Sequence, residues 1–245
     1  MQRYYSNIYW HFTGSPDNLD WHNVKSPEDI LTLGGRTKSE AVSFNILDKI
    51  LQSNKLLATC DEKISEDLLT DKFCCLTDIP LKDLLSHRTY YGNVALGFKP
   101  NKIQKHFVPV MYIPLDNLPI VELITRNPIL EEKAYDFFAY QGSWSEQQGM
   151  KLLAQPQIKD KILDKRQLQG FLMNYIKVTD FNVSESHSFY REREWRHIND
   201  FKFRKEDIST IVVPREYIDK TRELINNLSY PKDISVISWD IIELS

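Results

Sequence analysis

The stretch Phe189–His197 reads Phe-Tyr-Arg-Glu-Arg-Glu-Trp-Arg-His and concentrates charged and aromatic side chains. In a strand, side chains alternate between two faces, so Glu192, Glu194 and Arg196 share one face while Arg193 lies on the other. Two carboxylates beside an arginine form a candidate acid/base or substrate-orienting pair. In a helix, Glu192 and Arg196 stand four residues apart and form an ordinary exposed ion pair. On this stretch alone both interpretations stay open.

The composition around this stretch is that of a globular protein. The chain has 245 residues, of which 42% are hydrophobic and 27% charged, so it is long enough to bury a sizeable core. We predict a single domain over residues 1–245. The formal net charge of -3 excludes a positive field over the whole surface, although local basic patches remain possible.

Cysteines and apolar runs indicate the compartment. The number of cysteines is odd, and two of the three, Cys60, Cys74 and Cys75, are adjacent, which does not suit a disulfide framework. The N-terminus lacks the apolar run of a signal peptide. The longest mostly apolar segment, 108–115, falls far short of the ~18 residues that a membrane span needs. We therefore expect a cytoplasmic protein with no membrane contact.

Strand patterns cluster towards both ends of the chain, and helix formers dominate its middle. Val94, Leu96 and Phe98 alternate with small residues, which is typical of a strand. The predicted strands are 7–12, 73–76, 93–98, 108–113, 188–197, 208–213 and 234–242. This order of elements, with strands towards both ends of the chain and helices in its middle, predicts an α+β fold with mixed or antiparallel sheets.

The predicted helices and connections complete this outline. Thr37 and Glu40 have capping-box spacing, which predicts a helix through about Gln52. Further helices are expected after Pro80 and after Pro214, each of which suits a first turn. Residues 20–36 and 60–71 are predicted connections. Residues 115–180 are predicted to form a helical insertion, with helices at 128–140, 144–154 and 159–175.

Several kinds of chemistry have no motif in this sequence. The six histidines are scattered and no C-x-x-C occurs, so we predict no metal site. Gly34-Gly35-Arg36-Thr-Lys-Ser lacks the spacing of a phosphate-binding loop, although Arg36 could still meet an anionic ligand rather than solvent alone. His11 lies near the C-terminal end of the predicted strand 7–12. It faces either a functional site or a backbone carbonyl that satisfies its ring.

Several segments together resemble the AbiGi family of abortive phage infection proteins. Their order and spacing carry the resemblance more than any one of them. The segments are 10–14 (Trp-His-Phe-Thr-Gly), 75–81 (Cys-Leu-Thr-Asp-Ile-Pro-Leu), His87 with Tyr91-Gly92, 97–99 (Gly-Phe-Lys), 109–112 (Pro-Val-Met-Tyr) and 189–196. The resemblance implies a phage-defence protein, the antitoxin-like half of a two-gene pair with a cognate partner protein.

A more distant resemblance is to ADP-ribosyltransferase folds of the DarT type. His11-x-Thr13 and the later Arg191-x-x-Glu194 are similar to motifs of those enzymes, although Asn18-Leu19 falls one residue late and the insertion 20–36 is extra. The resemblance implies NAD as substrate, no metal, and a protein or nucleic-acid acceptor.

The same resemblance implies a role for each candidate residue. Glu194 is the expected catalytic carboxylate and Glu192 its helper. His11 and Thr13 are expected to contact ribose or carboxamide, and Tyr91 to stack on nicotinamide. Arg36 is the candidate for the phosphates. Cleavage of the nicotinamide–ribose bond passes through an oxocarbenium-like state, which a carboxylate stabilises.

Two further functions remain open from sequence. One is a non-catalytic antitoxin that binds a partner protein, and the other is an effector that acts on nucleic acid through a basic groove. Convergence of His11, Tyr91 and Glu194 in one cleft favours the transferase. A scattered arrangement favours the partner-binding protein.

Overall fold

The computed structural model describes residues 6–65, 68–116, 172–184 and 187–244. The described strands are β1 (Tyr9–Phe12), β2 (Lys55–Leu56), β3 (Lys63–Ser65), β4 (Leu68–Leu69), β5 (Phe73–Thr77), β6 (Ala95–Phe98), β7 (Val108–Pro109), β8 (Met111–Pro114), β9 (Ile176–Thr179), β10 (Glu194–Ile198), β11 (Phe201–Lys202), β12 (Ile208–Val213) and β13 (Ser235–Ser238). The described α-helices are α1 (Pro27–Gly34), α2 (Glu40–Ser53), α3 (Leu84–Tyr91), α4 (Pro100–Ile103), α5 (Ile218–Asn227) and α6 (Trp239–Glu243). Short 3-10 helices include Trp21–Asn23, Leu81–Asp83 and Phe189–Glu192.

The main sheet has seven strands in the order β13-β12-β6-β1-β5-β10-β7. Its neighbours pair antiparallel except β12 and β13, which are parallel. Three small two-stranded sheets, β11-β2, β3-β4 and β8-β9, lie beside it. The α+β class with a mixed, mainly antiparallel sheet is therefore confirmed, whereas an ADP-ribosyltransferase-like fold is not.

Each face of the sheet has its own apolar cluster. On one face, Phe44 and Leu47 of α2 pack with Leu96 and Phe98 of β6. On the other face, Trp10 belongs to a second cluster of buried residues, which also includes Ile79, Leu84, Ala95, Val212, Trp239 and Ile242. Period-two alternation along β6 sends neighbouring side chains to these two clusters. The central strands are thus covered on both faces, as their long apolar runs require.

One glycine makes the packing of β1 against β6 possible. A Cβ at Gly97 would stand 2.8 Å from the ring of Trp10 and 2.6 Å from the side chain of Ile8. Trp10 is buried to 1% exposure in the space that this glycine leaves. The small face of β6, which the sequence pattern indicated, therefore accommodates a large aromatic ring from the neighbouring strand.

The structure corrects several predicted boundaries. In the stretch 188–197, residues Phe189–Glu192 form a 3-10 helix, Arg193 has a left-handed φ of 47°, and the strand begins only at Glu194. The predicted strand 234–242 is a strand only over Ser235–Ser238, and α6 begins at Trp239. Residues 20–36, predicted as a loop, contain α1 with Pro27 at its first position, where a missing N–H is harmless.

Two more corrections concern caps and connections. The side chain of Ser39, not that of Thr37, accepts the capping hydrogen bond of α2. The predicted connection 60–71 contains the hairpin of β3 and β4. The predicted insertion 115–180 ends in strand β9, whereas its helices at 128–140 and 144–154, and most of 159–175, lie outside the described residues. The single-domain organisation stays a prediction. Within the ranges described, no helix is long and apolar enough to cross a membrane.

Candidate functional site

The candidate site lies where β1 and β5 separate, a place that we call the seam between these two strands. The two strands pair at a single registered position, Trp10 with Thr77, whereas β5 pairs with β10 at five positions. Beyond this position the contact between the strands is made by a side chain: Nδ1 of His11 is 3.1 Å from the carbonyl oxygen of Cys75. Burial lowers the pKa of His11, against the opposing effect of this hydrogen bond, so the ring is neutral at pH 7.

A cleft of about 770 Å³ lies at this seam. Five of the six candidate residues from the sequence line it, namely His11, Thr13, Tyr91, Glu192 and Glu194. Arg36, the sixth, is exposed after α1 and is not part of the lining. The structure thus brings every candidate residue to one cleft except Arg36, the candidate for the phosphates.

Two glycines bring Tyr91 to the end of β1. The backbone N–H of Gly14 donates to the Tyr91 carbonyl at 2.9 Å. Gly92 has a φ of +87°, and a Cβ there would stand 2.6 Å from the Cα of Gly14. Because both positions lack a side chain, the end of α3 docks directly onto the loop after His11 and Thr13.

Thr13 has a structural partner as well as a place in the cleft. Its hydroxyl donates to the carbonyl oxygen of Ser43 at 2.9 Å, and the residue is buried. This bond ties the end of β1 to α2. Any contact of Thr13 with a ligand therefore competes with, or adds to, a bond that already positions the strand.

Five charged side chains form a compact cluster at the acidic end of the cleft. Its members are Glu62, Lys177, Glu192, Glu194 and Arg196. Nζ of Lys177 lies 3.0 Å from Glu62, 3.0 Å from Glu192 and 3.3 Å from Glu194. Arg196, fully buried, donates from Nε at 2.8 Å and from Nη2 at 2.9 Å to the two oxygens of Glu194, and also contacts Glu62.

The two glutamates of the original stretch differ in their electrostatic surroundings. Burial opposes ionisation of Glu194, but the charges of Arg196 and Lys177 outweigh it and lower its pKa to about 2. Burial raises the pKa of Glu192, against the attraction of Lys177 and with added repulsion from Glu194. Tyr91 donates its hydroxyl to one oxygen of Glu192, and Lys177 donates to the other. Glu194 is therefore the firmly ionised carboxylate, and Glu192 the one more readily protonated.

An aromatic wall stands beside the carboxylates. The rings of His87 and Tyr91 stack at a centroid distance of 4.5 Å, and Phe12 packs 5.1 Å from His87. Burial, together with the nearby charge of Arg191, lowers the pKa of His87 to about 3. The wall is therefore neutral at pH 7 and offers flat apolar surface next to a charged cluster.

Arg193 points away from this cleft, as the alternation predicted, but for a different reason. Its left-handed backbone precedes the strand, and its Nε donates to Asp78 at 2.7 Å. Arg193 and Asp78 line a second cavity, to which Glu194 also contributes, and neither of them lines the first cleft. The arginine between the two glutamates is thus no part of the charged cluster.

Sequence reasoning missed Lys177 and Glu62. Lys177 lies on β9, within the range predicted to be helical, although Ile176-Lys-Val-Thr179 has the alternation and β-branched residues of a strand. Glu62 stands just before β3, in a range read as a connection. Among the residues that the structure describes, no group of three His, Cys, Asp or Glu side chains is arranged to hold a metal ion.

Comparison with known proteins identifies the family. Neither the search of curated proteins nor that of solved structures gives a significant match. Residues 54–240 match the family model for AbiGi, described as a proposed abortive phage resistance protein, antitoxin. The matched part contains Tyr91, Lys177, Glu192 and Glu194, whereas His11 and Thr13 precede it. Because the match extends over more than half of the 245 residues, the chain belongs to the AbiGi family.

Proposed function

We propose that this AbiGi protein acts in abortive phage infection, beside a cognate partner protein, and that its cleft binds NAD for an ADP-ribosyltransferase-like reaction. The observation that carries the proposal is the convergence of His11, Tyr91 and Glu194 on one cleft. A scattered arrangement of these residues would have favoured a partner-binding protein without catalysis. The volume of the cleft, about 770 Å³, lies in the range of small-molecule sites, about 300–1,000 Å³.

The charge of the cluster suits the chemistry of glycosidic cleavage. With all five groups ionised, three carboxylates face two cations, which leaves one net negative charge beside the cleft. A preorganised negative group stabilises the positive charge that develops on ribose as nicotinamide leaves. Glu194 is the proposed catalytic carboxylate because its low pKa keeps it ionised.

The other cleft residues have proposed roles in holding NAD. Glu192 is the helper that orients a ribose hydroxyl, since Tyr91 and Lys177 fix its two oxygens. The Tyr91 ring, stacked on His87, gives nicotinamide a flat surface. His11 is neutral, so in the tautomer whose Nδ1–H donates to the Cys75 carbonyl, Nε2 is an acceptor for a ribose hydroxyl.

The experiment is to incubate the pure protein with NAD labelled in its adenylate half. Release of nicotinamide, with label moving to protein or to nucleic acid, supports the proposal and identifies the acceptor class. Nicotinamide release without transfer indicates that water is the acceptor under these conditions. No release and no NAD binding, with the protein folded, would refute the transferase.

A second candidate function is a non-catalytic antitoxin that binds its partner protein. The observation in its favour is that Arg196 holds both oxygens of Glu194, as in a structural ion pair. The antitoxin description of the family also fits it. Under this alternative, cells carrying Glu194→Gln at matched expression keep phage protection, and the variant still co-purifies with the product of the neighbouring gene.

A further inference from the structure

The end of the cleft away from the carboxylates has the opposite charge. Lys38, Lys49, Lys55 and one acidic residue, Asp17, line it. Lys38 is bound to Asp17 at 2.9 Å and Lys55 to Asp200 at 2.9 Å. With these two lysines neutralised, Lys49 leaves one surplus positive charge on the α2 side, opposite in sign to the surplus negative charge of the Glu192 and Glu194 cluster.

Helix α2 supplies the wall of the basic end. Ile46, Lys49, Ile50 and Ser53 all line the cleft. Their spacing of three, four and seven residues places them on one stripe of the helix. Lys49 is the charged member of that stripe. It is exposed, and no ion pair engages it among the residues that the structure describes. An ammonium group on an apolar stripe is thus available to a ligand.

An aromatic side chain also lines the cleft. Trp21, in the 3-10 helix Trp21–Asn23, lines the cleft and is half-buried. Its indole has no ring partner within the described ranges. Flat heteroaromatic groups stack on such a surface, and base–aromatic stacking is sequence-tolerant because every base has a π-face.

We propose that the α2 end of the cleft is a nucleotide subsite, in which Lys49 binds phosphate and Trp21 stacks on the base. Lys38 and Lys55 are each paired with an aspartate, so Lys49 carries the surplus positive charge of this subsite. This inference deepens the proposed function, because a dinucleotide with a cationic ring at one end and phosphates towards the other matches the two charges of the cleft. It also places a phosphate contact within the cleft, whose lining does not include Arg36.

The test uses ligands that lack nicotinamide, so that binding is separated from catalysis. ADP, adenosine and inorganic pyrophosphate are titrated calorimetrically into the full chain at low ionic strength. Lys49→Ala should weaken ADP and pyrophosphate by about tenfold, the loss expected for one hydrogen bond to a charged group. Trp21→Ala should weaken ADP and leave pyrophosphate unchanged. Lys82→Ala is the control, since Lys82 is exposed and does not line the cleft.

The outcomes distinguish this subsite from the transferase. ADP binding that Lys49→Ala weakens and Lys82→Ala does not, without any NAD cleavage, supports the subsite and refutes the transferase. NAD cleavage that is unaffected by Lys49→Ala refutes the subsite and leaves the transferase standing. Failure of ADP and pyrophosphate to bind the folded wild-type chain, or equal losses in both lysine variants, overturns the inference.

Discussion

Replacing Lys177 by methionine should destabilise the protein more than the loss of any exposed lysine. Lys177 lies within 3.0 to 3.3 Å of three carboxylates, and its side chain is 10% exposed. At an effective dielectric constant of about 20, each such contact contributes roughly 5 kcal/mol before desolvation is subtracted. Desolvation offsets most of that sum, and removing one partner of a buried ionic group costs about 3–5 kcal/mol net.

Thermal and urea unfolding at pH 7 measure this loss. For a chain of this size, about 3–5 kcal/mol corresponds to a fall of roughly 6–20 °C in the midpoint of thermal unfolding. Lys82→Met is the matched control. It should stay within about 0.5 kcal/mol of wild type, because Lys82 is exposed and outside the cluster.

The pH dependence of the loss tests its electrostatic origin. Burial already raises the pKa of Glu192, and without Lys177 that pKa rises further in the folded state. A carboxyl with a raised folded pKa contributes its stability below the unfolded pKa and loses it as the pH rises through the folded pKa. The difference between Lys177→Met and wild type should therefore shrink as the pH falls from 7 towards about 4.

A second substitution isolates the surplus charge. Adding Glu62→Gln to Lys177→Met removes one of the three carboxylates and should recover about 1–3 kcal/mol, as coupled neighbours do. A loss below about 1 kcal/mol for Lys177→Met, or one that is the same at pH 4 and pH 7, would refute the charged cluster as a unit.

Three other perturbations test the frame of the site. Gly92→Ala should lower the urea midpoint more than Gly35→Ala. Both glycines have a positive φ, which costs a substituted alanine about 1–3 kcal/mol. Only the Cβ at position 92 would also meet backbone atoms, which adds about 1–3 kcal/mol. Equal losses in the two variants would contradict the docking of α3 on Gly14. Thr13→Val should cost about 0.5–1.5 kcal/mol in urea unfolding, because it removes one buried hydrogen bond to the Ser43 carbonyl of α2. An unchanged midpoint would contradict that bond. Because the folded state lowers the pKa of Glu194, this carboxylate should stabilise the fold at pH values above its ordinary pKa of 4.5. That stabilisation should be lost as the pH falls towards 2. Glu194→Gln should remove this part of the acid titration followed by circular dichroism, and an unaltered titration would count against the lowered pKa.

Local patterns predicted the centre of the fold and failed at its boundaries. Strands β6 and β12 follow from alternation and β-branched residues, and both are interior strands of the sheet. The start of β10 could not be read from residue type, because arginine rarely adopts a positive φ, yet Arg193 does so. A long-range ion pair with Asp78 holds that side chain in place. Tertiary contacts of this kind override local preference.

The site could be predicted in part for the same reason. The pair Glu192 and Glu194 was visible because both residues lie in one short stretch. They do meet at one cleft, although only Glu194 is on a strand. Glu62, which contacts Arg196 from 134 residues away, has no local signal. Lys177 did have one, the strand pattern of β9, which the surrounding helix formers obscured.

The release of nicotinamide from NAD by wild type and by Glu194→Gln tests the catalytic role most directly. The amide keeps the shape of the side chain but loses its charge, so the rate should fall at least ~100-fold, the effect of removing one preorganised electrostatic group. Arg193→Gln, next to it but paired with Asp78 outside the cleft, should stay close to wild type. Melting curves establish that both variants are folded. Equal rates for wild type and folded Glu194→Gln, or no release by wild type, would contradict the account.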